Sequence, residues 1–160
     1  MQHSTFSQFK QNRDYNCAAG AVNFFVWANS GKELDIDVTT RRLGCHPDHG
    51  TDHNSIVGFL DFLYRYESHV EHSHCLQLRK LSLPLLVNWW SGDDGHYSVI
   101  TEITLGGGEG SIRMFDPADG RVHEKDWNEF KKNWYSNRYG KNWGLYLRDY
   151  EPMKEIHSGK

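Results

Sequence analysis

Residues 16–31 read NCAAGAVNFFVWANSG. Apolar side chains recur there at helical spacing, so they share one face of a helix; they are Ala18, Ala21, Val22, Phe25 and Val26. Asn16 is a suitable N-cap, and Asn29-Ser30-Gly31 supplies a stop signal. The stretch therefore predicts a helix that begins at Cys17 and packs its apolar face on a core.

Two more helices are predicted after this one, at residues 38–43 before Gly44 and at about residues 54–66. The apolar period then changes to that of strands, with a loose alternation at residues 76–81. Strands are predicted at residues 85–90, 97–105, 111–115 and 143–149, and a short helix at residues 126–134. Helices followed by strands predict an α+β fold, with N-terminal helices packed on an antiparallel β-sheet.

Length and composition exclude several classes of protein. The 160 residues and their polar C-terminus indicate a single domain over residues 1–150 and a polar, loose tail over residues 151–160. The formal net charge is −3 and no basic run is present, so we expect no nucleic-acid partner. No apolar stretch approaches the roughly 18 residues of a membrane span. Residues 1–10 lack the apolar run of a signal peptide, so we expect a cytoplasmic location.

The three cysteines, Cys17, Cys45 and Cys75, are an odd number without a tight pairing pattern. They do not indicate a disulfide framework, and no C-x-x-C motif suggests a redox or zinc-ribbon site. Each is therefore either a small buried residue or a reactive thiol.

Cys17 and His96 are the first candidates for chemistry. Cys17 lies at the predicted start of a helix, where the helix dipole favours the nucleophilic thiolate. A small apolar residue that fills the helix start is the alternative. His96 begins the strand-like segment GHYSVI at residues 95–100, and imidazole is the usual general base for such a nucleophile. With ten histidines in the chain, a surface histidine is the alternative for His96.

Asp116 and Gln11 are the second pair of candidates. Asp116 ends the strand that follows His96, and the glycine-rich residues 106–110 between the two strands predict a hairpin. Adjacent strands would bring the carboxylate of Asp116 to the imidazole of His96, although Asp before Pro also commonly starts a turn. Gln11 lies six residues before Cys17, where its side-chain amide and the Cys17 N–H could form an oxyanion hole.

In combination these segments resemble the C39-like cysteine peptidases, which have a papain-like fold. The resemblance covers about residues 9–148 and rests on five segments in order: Gln11, the Cys17-Ala18-Ala19 run, Gly50-Thr51, GHYSVI at 95–100 and FDPADG at 115–120.

The resemblance implies Cys17 as nucleophile, His96 as base, Asp116 as the orienting carboxylate and Gln11 as oxyanion donor. It implies cleavage of a peptide or amide bond through an acyl-enzyme, and we expect no cofactor.

Three residues that flank these positions are expected to bind substrate: Asn16, Gly95 and Trp90. For Trp90 and its neighbour Trp89, packing in the core is the alternative. An acyltransferase or transpeptidase with the same residues is a second possible function. A peptide-binding module without catalysis is the third, because Asn16 and Ala18 stand where the family usually has Asp and Gly.

Histidines cluster in residues 45–53 and again at His69, His72 and His74, next to Cys75. Such groups can bind zinc, but neither cluster matches an H-E-x-x-H helix or a paired-cysteine knuckle. Both are interpreted as polar, solvated loops, and no metal is expected.

Overall fold

The computed structural model describes residues 6–65, 69–73, 82–92, 95–106, 109–136 and 140–148. Its helices are α1 (Cys17–Ser30), α2 (Ile36–Leu43), α3 (His53–Tyr64) and α4 (Trp127–Asn133), and a 3-10 turn at Ser7–Phe9 precedes them. Its strands are β1 (His69–Ser73), β2 (Leu85–Trp90), β3 (Gly95–Gly106), β4 (Glu109–Asp116), β5 (Arg121–Asp126), β6 (Tyr135–Ser136), β7 (Gly140–Lys141) and β8 (Gly144–Arg148).

Six of these strands form one sheet in the order β1-β8-β2-β3-β4-β5. Every neighbouring pair in this sheet is antiparallel, and β6 pairs with β7 separately. The predicted α+β class, with N-terminal helices on an antiparallel sheet, is confirmed. None of the helices in the described residues is long and apolar enough to cross a bilayer.

Helix α1 is central to the packing. It contacts α2 as well as strands β2, β3 and β4, and 11 of its 14 residues are buried. The periodicity predicted one apolar face, whereas the helix is covered on nearly all sides. Its buried polar residue Asn23 is satisfied, because it donates to the Leu34 carbonyl at 3.1 Å and accepts from Thr39 Oγ1 at 2.7 Å. Gly31 ends the helix in the left-handed conformation, with φ at 74°.

An aromatic cluster fixes α1 to β4. The rings of Phe24 on α1 and Phe115 on β4 stack with centroids 4.1 Å apart and an interplanar angle of 2°. Phe9 packs edge-on against both rings. Aromatic pairs of this kind contribute about 0.5–1.5 kcal/mol beyond the area they bury. Since Asp116 follows Phe115, this stack sets the end of β4 relative to α1.

Two edge strands were not predicted. The interpretation of His69 and His72 as part of a polar loop is wrong, because residues 69–73 pair with β8, from His69 opposite Arg148 to Ser73 opposite Gly144. Strand β5, RVHEKD, pairs with β4 but buries only Val122. Edge strands tolerate polar and charged side chains, so they lack the apolar alternation that marks inner strands.

Some expectations lie outside the described residues. These are the loose alternation at residues 76–81, the His74-Cys75 pair, the tip of the hairpin at residues 107–108, the last residue of the strand predicted to end at Asp149, and the tail over residues 151–160. Helix α3 ends at Tyr64, two residues before the predicted end.

Candidate active site

Cys17 is the first residue of α1, so its backbone N–H has no partner within the helix. Asn16 occupies the cap position, but its side chain does not bond to the helix. Its Oδ1 accepts from the Arg13 N–H at 2.9 Å, and its Nδ2 donates to Asn12 Oδ1 at 2.7 Å and Thr40 Oγ1 at 3.0 Å. Asn16 is 0% exposed and is not among the residues that line the cleft described below, and its contact with substrate stays a prediction.

His96 and Asp116 come from neighbouring strands. His96 is the second residue of β3 and Asp116 is the last residue of β4, and the two strands pair as a hairpin. His96 Nε2 lies 2.6 Å from Asp116 Oδ1. A carboxylate can only accept, so Nε2 carries the hydrogen and donates it. The same Oδ1 accepts from the Ala118 N–H at 2.9 Å, which fixes the orientation of the carboxylate.

Electrostatics around His96 favour its charged form. Burial lowers the pKa of His96, but hydrogen bonds to Asp116 and Cys17, and the charges of those two groups, raise it to about 10. For Asp116, burial raises the pKa, but the hydrogen bond and charge of His96 lower it below its ordinary value, with smaller contributions from the Ala118 N–H and the charge of His123. Because Nε2 is engaged by Asp116, Nδ1 is the nitrogen left for Cys17.

These shifts predict how stability depends on pH. The ordinary pKa of histidine is 6.5, so the stabilisation from a raised His96 pKa is complete below that pH and is lost as pH rises through about 10. The lowered pKa of Asp116 has the opposite pH dependence. The stabilisation that it contributes to the fold is present at neutral pH and is lost only as pH falls below 3.8. We expect the free energy of unfolding in urea to decline between pH 7 and pH 10, and to decline less in Asp116→Asn.

Asp119→Asn is the matched control for this experiment. His123 Nε2 and Asp119 Oδ2 also lie 2.6 Å apart, but this pair is on the surface, with side chains 39% and 44% exposed. The control should therefore keep the wild-type pH profile. Parallel profiles for wild type and Asp116→Asn would contradict the assigned ion pair.

Cys17 and His96 line a common cleft of about 700 Å³. The other residues that line it are Asp14, Tyr15, Pro47, Asp48, His49, Gly50, Ser91 and Gly95. Gly95 is thus the one of the three expected substrate-binding residues that borders the cleft. Trp90 is not among the lining residues and instead stacks on Tyr135, with centroids 5.8 Å apart. Trp89 presents its ring edge-on to His96 at 5.9 Å and donates to Ser98 Oγ at 3.0 Å.

Gln11 lies on a loop that is tied to the end of β4. Its backbone N–H donates to the Pro117 carbonyl at 2.8 Å. Its side-chain Nε2 donates to the Arg13 carbonyl at 2.8 Å, while its Oε1 is buried without a partner. Gln11 is not among the residues that line the cleft. One amide hydrogen of Gln11 is therefore occupied within its own loop, and the second remains available as a donor.

Gly20 lies in the site region and is not among the residues predicted from the sequence. A β-carbon added there would lie 2.7 Å from the Phe9 carbonyl oxygen and 2.8 Å from Pro117 Cβ, with the Gln11 nitrogen at 3.3 Å. The bare backbone at Gly20 lets α1 touch both the Gln11 loop and the turn after Asp116. A glycine inside a predicted helix was the available signal, since such a glycine often marks close packing.

The histidine-rich residues 46–50 were also missed as part of the cleft. The pattern of residues 45–53 predicts a polar, solvated loop without a metal, and four residues of this loop line the space beside Cys17. The rings of His46 and His49 stack with centroids 4.7 Å apart. Within the part of the chain that the structure describes, no group of three or more His, Cys, Asp or Glu side chains could hold a metal ion.

No protein-family model and no curated protein matches this sequence. Among solved structures, the chain is similar to the peptidase domain of Streptococcus ComA, a bi-functional ABC transporter involved in a quorum-sensing pathway. The TM-score is 0.66 at 16% identity, and the match covers 86% of this chain and 94% of that chain. The chain therefore has a C39-like peptidase fold, which confirms at the level of the fold the resemblance found in the motifs.

Proposed function

We propose that the protein is a cysteine hydrolase that cleaves a peptide or amide bond through an acyl-enzyme on Cys17. The observation that carries the proposal is the short bond from His96 Nε2 to Asp116 Oδ1, at 2.6 Å, beside a thiol at a helix start in the same cleft. Cys17, His96 and Asp116 are the proposed catalytic triad. The C39-like peptidase fold supports this assignment.

The first step is proton transfer from Cys17 Sγ to His96 Nδ1. It gives a thiolate and an imidazolium, and the carboxylate of Asp116 stabilises the imidazolium through Nε2. The raised pKa of His96, about 10, favours this ion pair at neutral pH. The positive end of the α1 dipole adds to the stability of the thiolate.

The thiolate then attacks the carbonyl carbon of the scissile bond, and the carbonyl oxygen becomes an oxyanion. The backbone N–H of Cys17 is available to donate to that oxyanion, because it is the first N–H of the helix. The amide hydrogen of Gln11 that is not bonded to Arg13 is the proposed second donor. The Gln11 side chain must turn toward the cleft for this contact, because Gln11 is not among the lining residues.

Collapse of the tetrahedral intermediate breaks the C–N bond, and His96 protonates the leaving amine. A thioester remains on Cys17. A water molecule attacks it with His96 as general base, which releases a carboxylic acid and restores the thiol. This chemistry needs no cofactor. Gly95 is the proposed substrate contact next to His96, because it lines the cleft. A β-carbon added at Gly95 would lie 2.7 Å from Asn88 Oδ1, so the bare backbone also leaves room for the Asn88 side chain.

Alkylation by iodoacetamide tests the activation of Cys17. The wild-type protein is labelled at pH 7 and each cysteine is quantified by mass mapping. Cys45 is an internal reference, since burial raises the pKa of its thiol. We expect Cys17 to react at least about tenfold faster than Cys45, because the thiolate is the reactive form.

His96→Ala is expected to remove most of this difference, whereas the surface variant His123→Ala should preserve it. If Cys17 reacts no faster than Cys45 and His96→Ala changes nothing, the proposed nucleophile is wrong. A third result would be a reactive Cys17 whose peptide substrates, in the presence of an added amine, give amide products and no carboxylic acids. The acyl group would then go to the amine, and the protein would be an acyltransferase.

A further inference from the structure

One side of the cleft is formed by a short closed loop, residues 46–50, called here the 46–50 loop. The His46 N–H donates to the Gly50 carbonyl at 3.0 Å, and the Gly50 N–H donates to the His46 carbonyl at 2.8 Å. These two bonds close the base of the loop. Four of its residues line the cleft together with Cys17 and His96, so its position sets the width of the cleft on that side.

The base of the loop is anchored to strand β3 through Thr51. The Tyr97 hydroxyl donates to the Thr51 carbonyl at 3.0 Å. Thr51 Oγ1 also donates to Cys45 Sγ at 2.9 Å, which ties the residue after the loop to the residue before it. Tyr97 is 4% exposed and Thr51 is 6% exposed, so water does not compete for these bonds.

His53 completes the anchor. Its Nδ1 lies 2.5 Å from the Tyr97 hydroxyl oxygen, and its ring stacks on Trp143 with centroids 4.0 Å apart. A tyrosine hydroxyl has one hydrogen, and that hydrogen is on the Thr51 carbonyl. Nδ1 of His53 therefore carries a hydrogen and donates it to the Tyr97 oxygen. The hydroxyl of Tyr97 is held from two sides, in one orientation.

Tyr97 directly follows His96 on β3. Consecutive residues of a strand point to opposite faces. The imidazole of His96 and the side chain of Tyr97, which anchors the loop, therefore lie on opposite faces of β3 but are attached to adjacent residues of its backbone. Tyr97 belongs to the buried cluster that also packs α1. The distance between the 46–50 loop and His96 is thus set by a rigid strand instead of by the loop itself.

We propose that Tyr97 and His53 are positioning residues for substrate: they hold the 46–50 loop at the spacing from Cys17 and His96 that an extended peptide requires. This inference rests on the proposed function, because it takes the cleft as the peptide site. Tyr97 and His53 do not touch the reacting atoms. Their loss should weaken binding of a peptide while the reactivity of the Cys17 thiol is retained.

Two alkylating agents with the same reactive group separate these effects. Chloroacetone is small, whereas acetyl-tetra-alanine chloromethyl ketone carries an extended peptide. In Tyr97→Phe we expect the concentration for half-maximal inactivation by the peptide reagent to rise about tenfold, since small displacements of positioning groups are costly. The limiting inactivation rate and the rate with chloroacetone should stay within about twofold of wild type.

Tyr64→Phe is the matched control, because Tyr64 is also fully buried and its hydroxyl contacts Ser30 Oγ at 3.2 Å, away from the cleft-lining residues. It should leave both reagents unchanged. His53→Asn offers an amide N–H in place of Nδ1–H, so it should behave more like wild type than His53→Leu does. These two variants of His53 test the same anchor independently if Tyr97→Phe unfolds.

The positioning role would be overturned by either of two results, if it is seen in both Tyr97→Phe and His53→Leu. Inactivation by the two reagents would be weakened equally, or inactivation by the peptide reagent would be unchanged. Failure of the proposed function gives a different result, namely a wild-type Cys17 that reacts with chloroacetone no faster than Cys45.

Discussion

Replacement of Asp116 by Ala is expected to slow acylation of Cys17 by about 10²- to 10³-fold, because it removes the group that orients and charges the base. Without the carboxylate, nothing at Nε2 holds the ring of His96, and the pKa of His96 loses the hydrogen bond that raises it most. The measurement is the burst of p-nitrophenol released from p-nitrophenyl acetate by each variant, with the acyl adduct located by mass mapping.

Asp116→Asn separates orientation from charge. The Asn oxygen still accepts from Nε2–H, so the ring stays in place, but the negative charge is gone. We expect the rate of acylation of Cys17 to fall about tenfold in Asp116→Asn, between the rates of wild type and Asp116→Ala, since this variant loses the charge but keeps the orientation.

Asp119→Ala removes a His–Asp contact of the same 2.6 Å length on the surface and should leave the burst unchanged. If Asp116→Ala and Asp119→Ala acylate at the same rate, Asp116 has no catalytic role.

Replacement of Gly20 by Ala is expected to destabilise the fold by about 1–3 kcal/mol, the usual cost of overpacking a core. The added carbon would meet the backbone oxygen of Phe9 at 2.7 Å, and backbone moves less readily than a side-chain end. Gly58→Ala is the matched control, because Gly58 is an exposed helical glycine with nothing within 4 Å of an added carbon. That change should stabilise by up to about 1 kcal/mol.

Urea unfolding followed by tryptophan fluorescence measures both free energies of unfolding. The two glycines are predicted to respond in opposite directions, so a stabilised Gly20→Ala variant would show that α1 does not make the close contact. A second effect is expected in the site. Because Phe9, Gln11 and Pro117 belong to the segments that carry Asp116 and the proposed oxyanion donor, Gly20→Ala should also slow alkylation of Cys17.

The proposed catalytic residues are far apart in sequence, but each lies at a position in a predicted helix or strand that suits its chemistry. Cys17 was marked by a helix start, and His96 and Asp116 by the ends of two strands joined by a hairpin. Each of these signals is local. The structure supplies what they lacked, namely the 2.6 Å bond between Nε2 and Oδ1 and a cleft that Cys17 and His96 share.

The sequence by itself determined the elements whose pattern is local: α1 from its apolar spacing and the Gly31 stop, the inner strands from their apolar runs, and the α+β class from their order. The end of α1 at Ser30 follows from a local preference, since Gly31 adopts the left-handed conformation that glycine tolerates. The start at Cys17 agrees with the prediction, but the Asn16 side chain does not cap the helix.

Only the tertiary structure decided the edge strands β1 and β5, the close contact at Gly20 and the placement of residues 46–50 beside the cleft. Edge strands are held by hydrogen bonds to a partner strand, which leave no apolar period in the sequence. The hydrogen bond from Tyr97 to Thr51 joins residues 46 positions apart, and the buried Asn16 donates to Thr40, 24 residues away. Contacts of this kind depend on how the elements pack, and no local pattern of residues encodes them.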